Sequence, residues 1–376
     1  MRTALLAGTA LAAVLALTSS VQAAEQSPTI VKLMTSDVVV DADGLDTRTV
    51  HLEPTATNEA AAMDVGQTSL AYRESMQELE IVEAYTLKAN GQRLPVAPNA
   101  IYTQQPQSAP QLQAFDDTRQ KVIVFPNVAA GDSVVYTARW RDKIAAIPGH
   151  FTYTEFYSPS AAYNDARGSI TAPKSLPLKI ENHDVQVEKQ ETADTVTYRW
   201  RYSAPANDMV DYPEVSPLDS LPRVLVTSLA SHEELGRTYA SLLAPKEATT
   251  PRIQALADQV TAGVTDRREQ AQKIYEWVSK NIRYVAVDIG NGGIIPHEAD
   301  VTLANGYGDC KDHAVLFAAL LKAMGIASEV ALINLGNAYT LPDVAMIMPF
   351  NHVITWLPEF ELYVDTTAGV APFGTL

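Results

Sequence analysis

The stretch 306-GYGDCKDHAVLFAALLKAMG-325 carries Cys310, the only cysteine of the 376-residue chain. From Ala314 to Met324 every residue but Lys322 is apolar. A helix apolar on nearly all sides belongs at the centre of a core. Gly306, Gly308 and Asp309 break the chain ahead of it, and Gly325 offers a C-terminal cap. The pattern therefore predicts a buried helix with Cys310 at or just before its first turn. There, unpaired backbone N–H groups and the helix dipole favour an anion such as a thiolate. Lys311 supports that charge, whereas Asp309 and Asp312 oppose it.

The lone thiol acquires meaning from its compartment. Arg2 is followed by an apolar run from Ala4 to Leu17, interrupted only by Gly8 and Thr9. Ser19-Ser20-Val21-Gln22-Ala23 then supplies a cleavage pattern. Residues 1–23 thus read as a secretory signal peptide, too short to span a bilayer. No cysteine follows the cut to take a lipid anchor, and no later segment has the length of an apolar span. The expectation is a soluble periplasmic protein without stable membrane insertion. A single cysteine in an oxidising space is a partner for intermolecular pairing, an inert buried residue, or a reactive group.

Formal charge is −16, from 28 basic and 44 acidic residues, and there is no basic run. Nucleic acid and anionic membrane surfaces are poor partners for such a surface. A hydrophobic content of 47% is that of a folded core-former. The chain is long enough for two domains.

From about Val31 to Ser203 the pattern reads entirely as strand. Residues 195-TVTYRWRY-202 alternate with period two. Asn90-Gly91, between 81-IVEAYTLKA-89 and 92-QRLPVA-97, signals a hairpin. A second hairpin is read for residues 121–126 and 133–140 around Ala129-Ala130-Gly131-Asp132. The stretch 103-TQQPQSAPQLQ-113 is loop-like. Pro205, Pro213, Pro217 and Pro222 mark an irregular connection, beyond which the periodicity turns helical. Helices are predicted over His232–Leu243 and Pro251–Val260, and another begins after Thr265 or Asp266, with Ile274, Trp277, Val278 and Ile282 on its apolar face. The fold class is α+β: an antiparallel β-sandwich over residues 24–230, then a helix-rich domain over 231–376. The Gly-rich piece 289-IGNGGIIP-296 lacks the Gly-Lys-Ser/Thr ending of a phosphate loop and reads as a plain loop.

A reactive thiol needs a base. In 351-NHVITWLPEFELYVDTT-367 two alternating runs flank a turn at Pro358-Glu359. Folded about that centre, the hairpin opposes Trp356 to Glu361, Ile354 to Tyr363 and His352 to Asp365. Opposed residues share a face with Cβ atoms about 5 Å apart. The carboxylate then accepts from one imidazole nitrogen and turns the other outward, as a thiol–imidazole–carboxylate acyl-transfer site requires. The same pair also suits an ordinary cross-strand ion pair. A metal reading exists too, since Cys310 and His313 have C-x-x-H spacing and His352 with Asp365 would complete four ligands; the surrounding helix core argues against it. His51, His150, His183 and His232 suggest no site.

The strings 276-EWVSKNIRYV-285, 306-GYGDCKDHAVLFAALLKAMGI-326, 351-NHVITW-356 and 363-YVDTT-367 closely resemble the transglutaminase-like superfamily of papain-like thiol enzymes. The resemblance implies a central Cys helix packed on an antiparallel sheet, with Cys310 as nucleophile, His352 as general base and then acid, and Asp365 as its orienting partner. Neither metal nor cofactor is implied. The stretch 119-RQKVIVFPNVAAGDSVVY-136 resembles the uncharacterised β-rich domain that often precedes this module in exported bacterial proteins. The chain runs only 11 residues past Asp365, where such proteins commonly continue, so an incomplete terminal sheet is allowed for. The oxyanion donors have no motif; the Cys310 N–H is the first, with Tyr307, Asn351 or Trp277 as neighbours. The implied activity is amide-bond acyl transfer on protein, peptide or cell-wall peptide substrates, as a peptidase, an amidase or a transglutaminase. The alternative is a catalytically silent scaffold or binding module.

Overall fold

The computed structural model describes residues 29–106, 114–205, 216–336 and 340–376. The signal-peptide segment 1–23, part of the polar stretch 103–113 and Pro213 lie outside the described residues.

The first half is built on an eight-stranded sheet. Its order is Gln186–Glu191, Thr195–Ala204, Ala162–Pro173, Thr29–Val40, Asp46–Ala56, Ser133–Asp142, Gln77–Leu87 and Arg93–Pro95. All neighbours run antiparallel except the third and fourth strands, Ala162–Pro173 with Thr29–Val40, which are parallel. A parallel pair needs a long crossover, and the intervening chain forms the rest of the sheet on one side. The period-two reading holds in Thr195–Ala204, where Val196, Tyr198 and Trp200 are buried and Arg199 and Arg201 are exposed.

Two three-stranded sheets cover one face of this large one. Arg223–Thr227, flanked by Thr152–Phe156 and Lys179–His183, packs Val224 and Val226 against Val38, Ile170 and Trp200. Thr118–Val124, flanked by Gln67–Arg73 and Ile101–Gln104, packs Ile123 against Val134, Tyr136 and Trp140. The expected hairpin over residues 121–140 is therefore corrected. Its two strands lie in different layers, one paired with Gln67–Arg73 and the other with Asp46–Ala56 and Gln77–Leu87. Both carry adjacent buried residues, Val122-Ile123 and Val134-Val135-Tyr136, so each needs cover on both faces and an edge-to-edge pairing in one sheet would leave one bare. Asp132 fixes the crossing turn by accepting from Ala89 N and Ala129 N at 2.9 and 2.8 Å. The Asn90-Gly91 hairpin forms as expected, with Gly91 at φ +86°. Among the described residues the all-strand reading missed the 3₁₀ turn Pro98–Ala100 and the helix Glu59–Val65, whose N-cap Asn58 accepts from Ala61 N at 2.8 Å.

Beyond Ser231 the elements are helical. His232–Leu243, Pro251–Val260 and Arg267–Asn281 start at Ser231, Thr250 and Asp266, whose side chains each accept a backbone N–H of the first turn. They surround the helix Cys310–Ala323, in which every residue from Lys311 to Leu321 is buried. Ile253, Ala271, Ile274, Val278, Phe317 and Leu320 form the centre of this second core. The strands Glu329–Ile333, His352–Leu357 and Leu362–Val364 close it as an antiparallel sheet. The two halves meet where Ala286–Asp288 pairs parallel with Ala114–Asp116.

Candidate active site

The thiol's position is set by the backbone before it. Gly306 ends the helix Ala299–Asn305 in the left-handed region, at φ +70°. Tyr307-Gly308 then pairs with Arg283-Tyr284. Asp309 caps the next helix in a reciprocal box: its carboxylate accepts Asp312 N at 3.4 Å, and the Asp312 carboxylate accepts Asp309 N at 3.2 Å. Cys310 is consequently the first helical residue, half-buried and unpaired. Backbone N–H groups at that position have no intrahelical acceptor.

Beneath the thiol lies a buried polar layer of Asp309, Lys311, Asp312 and His313. Lys311 Nζ donates to Asp309 Oδ2, and His297 N donates to Asp312 Oδ1 at 2.8 Å. Burial raises the Asp309 carboxyl above its usual range against the opposing pull of Lys311. His313 turns Nδ1 to the Asp309 carbonyl at 2.8 Å and Nε2 to the Ile282 carbonyl at 3.1 Å. With both nitrogens so directed, the C-x-x-H metal reading fails for a local reason.

His352 begins one strand and Asp365 follows the next. The hairpin pairs Trp356 with Tyr363 and Leu357 with Leu362, two residues away from the expected register. The cause is the connection: Pro358–Phe360 form a 3₁₀ turn and Glu361 adopts φ +51°, so the loop is centred one residue later than Pro358-Glu359. A two-residue shift keeps every side chain on its face. The pair is diagonal rather than opposed, and it still meets, His352 Nε2 to Asp365 Oδ2 at 2.8 Å. Asp365 Oδ1 accepts from Thr367 N at 2.9 Å and Thr367 Oγ1 at 2.7 Å.

Electrostatics follow from these contacts. Burial disfavours the charged imidazole, but the hydrogen bond to Asp365 and the neighbouring Cys310 sulfur outweigh it and push His352 up to about 9. Burial would raise Asp365, and the bonds from His352 and Thr367 instead hold it below the usual carboxylate range. Since Nε2 is held by Asp365, Nδ1 is the nitrogen left for the thiol. Cys310 and His352 share the wall of a cavity of about 250 Å³, lined further by Ile294, Leu332, Met348 and Phe350.

Of the expected oxyanion neighbours, Asn351 lines this cavity, but its side chain is bonded to Leu335 N and O at 2.6 and 3.3 Å. Tyr307 instead packs on Phe115, ring centroids 5.8 Å apart, and Trp277 packs on the helical core. The residue that motif reading missed is Tyr284. Its strand pairs it with Gly308, two residues before the thiol. The side chain is 51% exposed overall, yet partial desolvation, then the adjoining Cys310 sulfur and Asp309, push its phenol above the ordinary range. It stays a donor beside the thiol.

Comparison with known proteins divides the chain in the same way. Residues 42–207 match the model of a domain of unknown function with a solved structure, DUF3857. Residues 254–352 match that of the transglutaminase-like superfamily, which ends at His352. The crystal structure of a protein from Parabacteroides distasonis, described as a "putative protease", superposes with a TM-score of 0.73 at 18% identity, covering 93% of this chain and 68% of that one. It shares the fold. An M1 zinc metallopeptidase from Deinococcus radiodurans overlaps weakly, with a TM-score of 0.30 at 12% identity over 53% of this chain and 42% of its own. No curated protein matches the sequence. Among the described residues, no helix is long and apolar enough to cross a membrane.

Proposed function

The chain carries a transglutaminase-like core behind a β-rich domain of unknown function, and on that premise we propose that it is an exported, periplasmic thiol enzyme acting on amide bonds of protein, peptide or cell-wall peptide substrates. The observation that carries the reading is the His352–Asp365 hydrogen bond of 2.8 Å, with Cys310 beside the same imidazole at the start of a buried helix. Export rests on the sequence of residues 1–23.

The chemistry follows from these groups. The raised basicity of His352 favours an imidazolium facing a Cys310 thiolate. The sulfur attacks the amide carbonyl carbon, and the carbonyl π pair moves onto oxygen. In this reading the Cys310 N–H, at the helix start, is the first donor to that oxyanion. As the tetrahedral adduct collapses, the C–N bond breaks and His352 Nδ1–H passes its proton to the departing amine. An acyl-thioester remains, with His352 neutral. Water then attacks the thioester, His352 takes its proton, and the C–S bond breaks to release a carboxylic acid and restore the ion pair. Asp365 stays ionised throughout and holds the ring. An amine in place of water gives transamidation. Hydrolysis is favoured because water competes at any acyl-thioester not built to exclude it.

The test is the iodoacetamide alkylation rate of the folded protein from about pH 4 to about pH 9, repeated in His352→Ala, against the ordinary thiol value of about 8.5. Fast alkylation well below that value, lost in the variant, supports the couple. Slow alkylation that rises only near it, unchanged by the mutation, returns Cys310 to an inert role and favours a scaffold.

A further inference from the structure

The β-rich half reaches the thiol cavity. Gly293 and Ile294 form part of that cavity's wall, and the turn that carries them is held from the other half of the chain. Arg73 Nη1 donates to the Gly290 carbonyl at 3.2 Å, and Asp117 Oδ1 accepts from Gly290 N at 3.3 Å. At Gly293 a Cβ would come within 2.7 Å of Arg73 Nη1 and 2.8 Å of Asp288 Oδ1, so a larger residue would push these two side-chain ends aside.

Ile294 is also a wall of a second cavity, of about 400 Å³. Its opposite side comes from the β-rich half and includes Tyr72, Arg73, Met76, Gln77, Asp142 and Ile144. Ile294 thus borders both this cavity and the one that holds Cys310. Tyr72, Met76, Ile144 and Ile294 are surfaces for a methylene chain. At the polar end Asp142 Oδ1 is fixed by Gln77 Nε2 at 2.9 Å, and the Asp46 carboxyl lies against it. Asp46 and Asp142 stand one step beyond the Thr47–Arg141 pair of adjoining strands, and burial, with the Asp142 charge beside it, pushes Asp46 up to about 7 against the pull of Arg48. Three cations stand nearby: Arg73 in the wall of the same cavity, with Nη1 turned to the Gly290 carbonyl; Arg141, an exposed side chain 4.0 Å from Glu78; and Arg48 over the Trp140 ring at 4.6 Å, from where it only partly offsets Asp46.

We infer that this second cavity is a substrate subsite, built mainly by the β-rich domain, which receives a long basic side chain of the polypeptide whose amide lies at Cys310. An aliphatic stem fits the apolar walls, and a terminal ammonium or guanidinium meets the Asp142–Asp46 pair. The β-rich domain then contributes selectivity to a reaction carried by the other half. The inference deepens the proposed thiol chemistry and rests on it only for the covalent readout.

The experiment uses the full chain and a set of tetra-alanyl chloromethyl ketones in which one alanine at a time is replaced by lysine, norleucine or glutamate. At one position lysine is expected to speed alkylation of Cys310 about tenfold over norleucine, with glutamate slower still, and Asp142→Asn to bring that ratio close to one. Ile144 is 44% exposed at the rim, so Ile144→Glu is expected to fold normally and to raise the lysine preference. In parallel, fluorescein-labelled amide forms of the same peptides are titrated against Cys310→Ala and read by anisotropy. Lysine-selective binding there, lost in Asp142→Asn/Cys310→Ala, supports the subsite even if alkylation shows an inert thiol. No lysine preference at any position in either assay, or a preference that survives Asp142→Asn, overturns it while leaving the Cys310–His352 reading intact.

Discussion

His352 and Asp365 join Nε2 to Oδ2 at 2.8 Å although their strands are two residues out of the register that would set them opposite one another. Both lie on the face turned to the thiol helix, so the shift costs directness and not contact. Thr367 gives Asp365 two further hydrogen bonds, which fix the carboxylate's orientation as a diagonal pair requires. The raised imidazole and the lowered carboxyl both trace to this contact.

Asp365→Asn therefore has a specific expected phenotype. The amide keeps a hydrogen bond but not the charge, so the imidazolium loses stabilisation and the ring can adopt the wrong tautomer. Thiol alkylation by iodoacetamide is expected to lose its low-pH limb. Turnover of any amide substrate is expected to fall by about 10⁴-fold, by analogy with other orienting carboxylates. An alkylation profile identical to that of the wild type would mean that Asp365 does not tune His352.

The hairpin also shows what local sequence can and cannot specify. Alternation assigned both strands and their faces, but the register depended on Glu361 adopting φ +51° after a 3₁₀ turn, which no local pattern announced. The helices His232–Leu243 and Pro251–Val260 were legible because periodicity and capping residues agree there. The misread hairpin at residues 121–140 had strong turn chemistry, yet turn chemistry does not say which strand is the partner; burial on both faces of Val122-Ile123 decided it. Tyr284 was invisible for a related reason. It reaches the thiol through a two-residue parallel pairing with Tyr307-Gly308, a contact with no local signature.

The pH dependence of stability has a defined sign. His352 is raised from an ordinary 6.5 to about 9 in the folded chain. Its contribution is fully present below about pH 6.5 and is lost as pH rises through about 9. Asp365 is lowered, so its contribution holds above the ordinary carboxylate range and is lost in acid. Urea midpoints of the wild type and His352→Gln should differ most in the weakly acidic range, and the gap should close by about pH 9.5. A gap that does not change with pH would show that the imidazole gains no charge-stabilising partner on folding.

Lys311 and Asp309 form a buried pair, 4% exposed each, directly beneath the nucleophile. Lys311→Met removes the cation and leaves a buried carboxylate whose pKa burial already raises. The expected cost is about 3–5 kcal/mol in chemical unfolding, because an orphaned buried charge is worse than no charge at all. Asparagine is also a good N-cap, so Lys311→Met/Asp309→Asn should recover much of the loss. If the double variant is no more stable than the single one, the pair's worth lies in the lysine's packing instead.

Gly168 faces Trp200 across paired strands, and its lack of a side chain is what admits the indole. A Cβ there would lie 2.1 Å from Trp200 Cε2 and Cζ2, inside a rigid ring that cannot give way by rotating a flexible end. The indole is also tied down, since Nε1 donates to Tyr157 Oη at 2.9 Å and to Glu155 Oε1 at 3.2 Å. Glu155 in turn accepts from the Tyr153 and Tyr157 hydroxyls, all within the buried layer between the sheets. Gly168→Ala must therefore displace Trp200 and break a satisfied polar cluster, at about 1–3 kcal/mol for overpacking and a similar amount for the groups left unpaired. Thermal unfolding and near-ultraviolet circular dichroism should report both, as a lowered midpoint and a lost tryptophan signal. Gly168→Ala/Trp200→Phe separates the causes: the smaller ring should relieve the clash and restore part of the midpoint, while the missing N–H leaves Glu155 one donor short. A double variant no more stable than Gly168→Ala would refute the steric account and place the cost in the polar cluster alone.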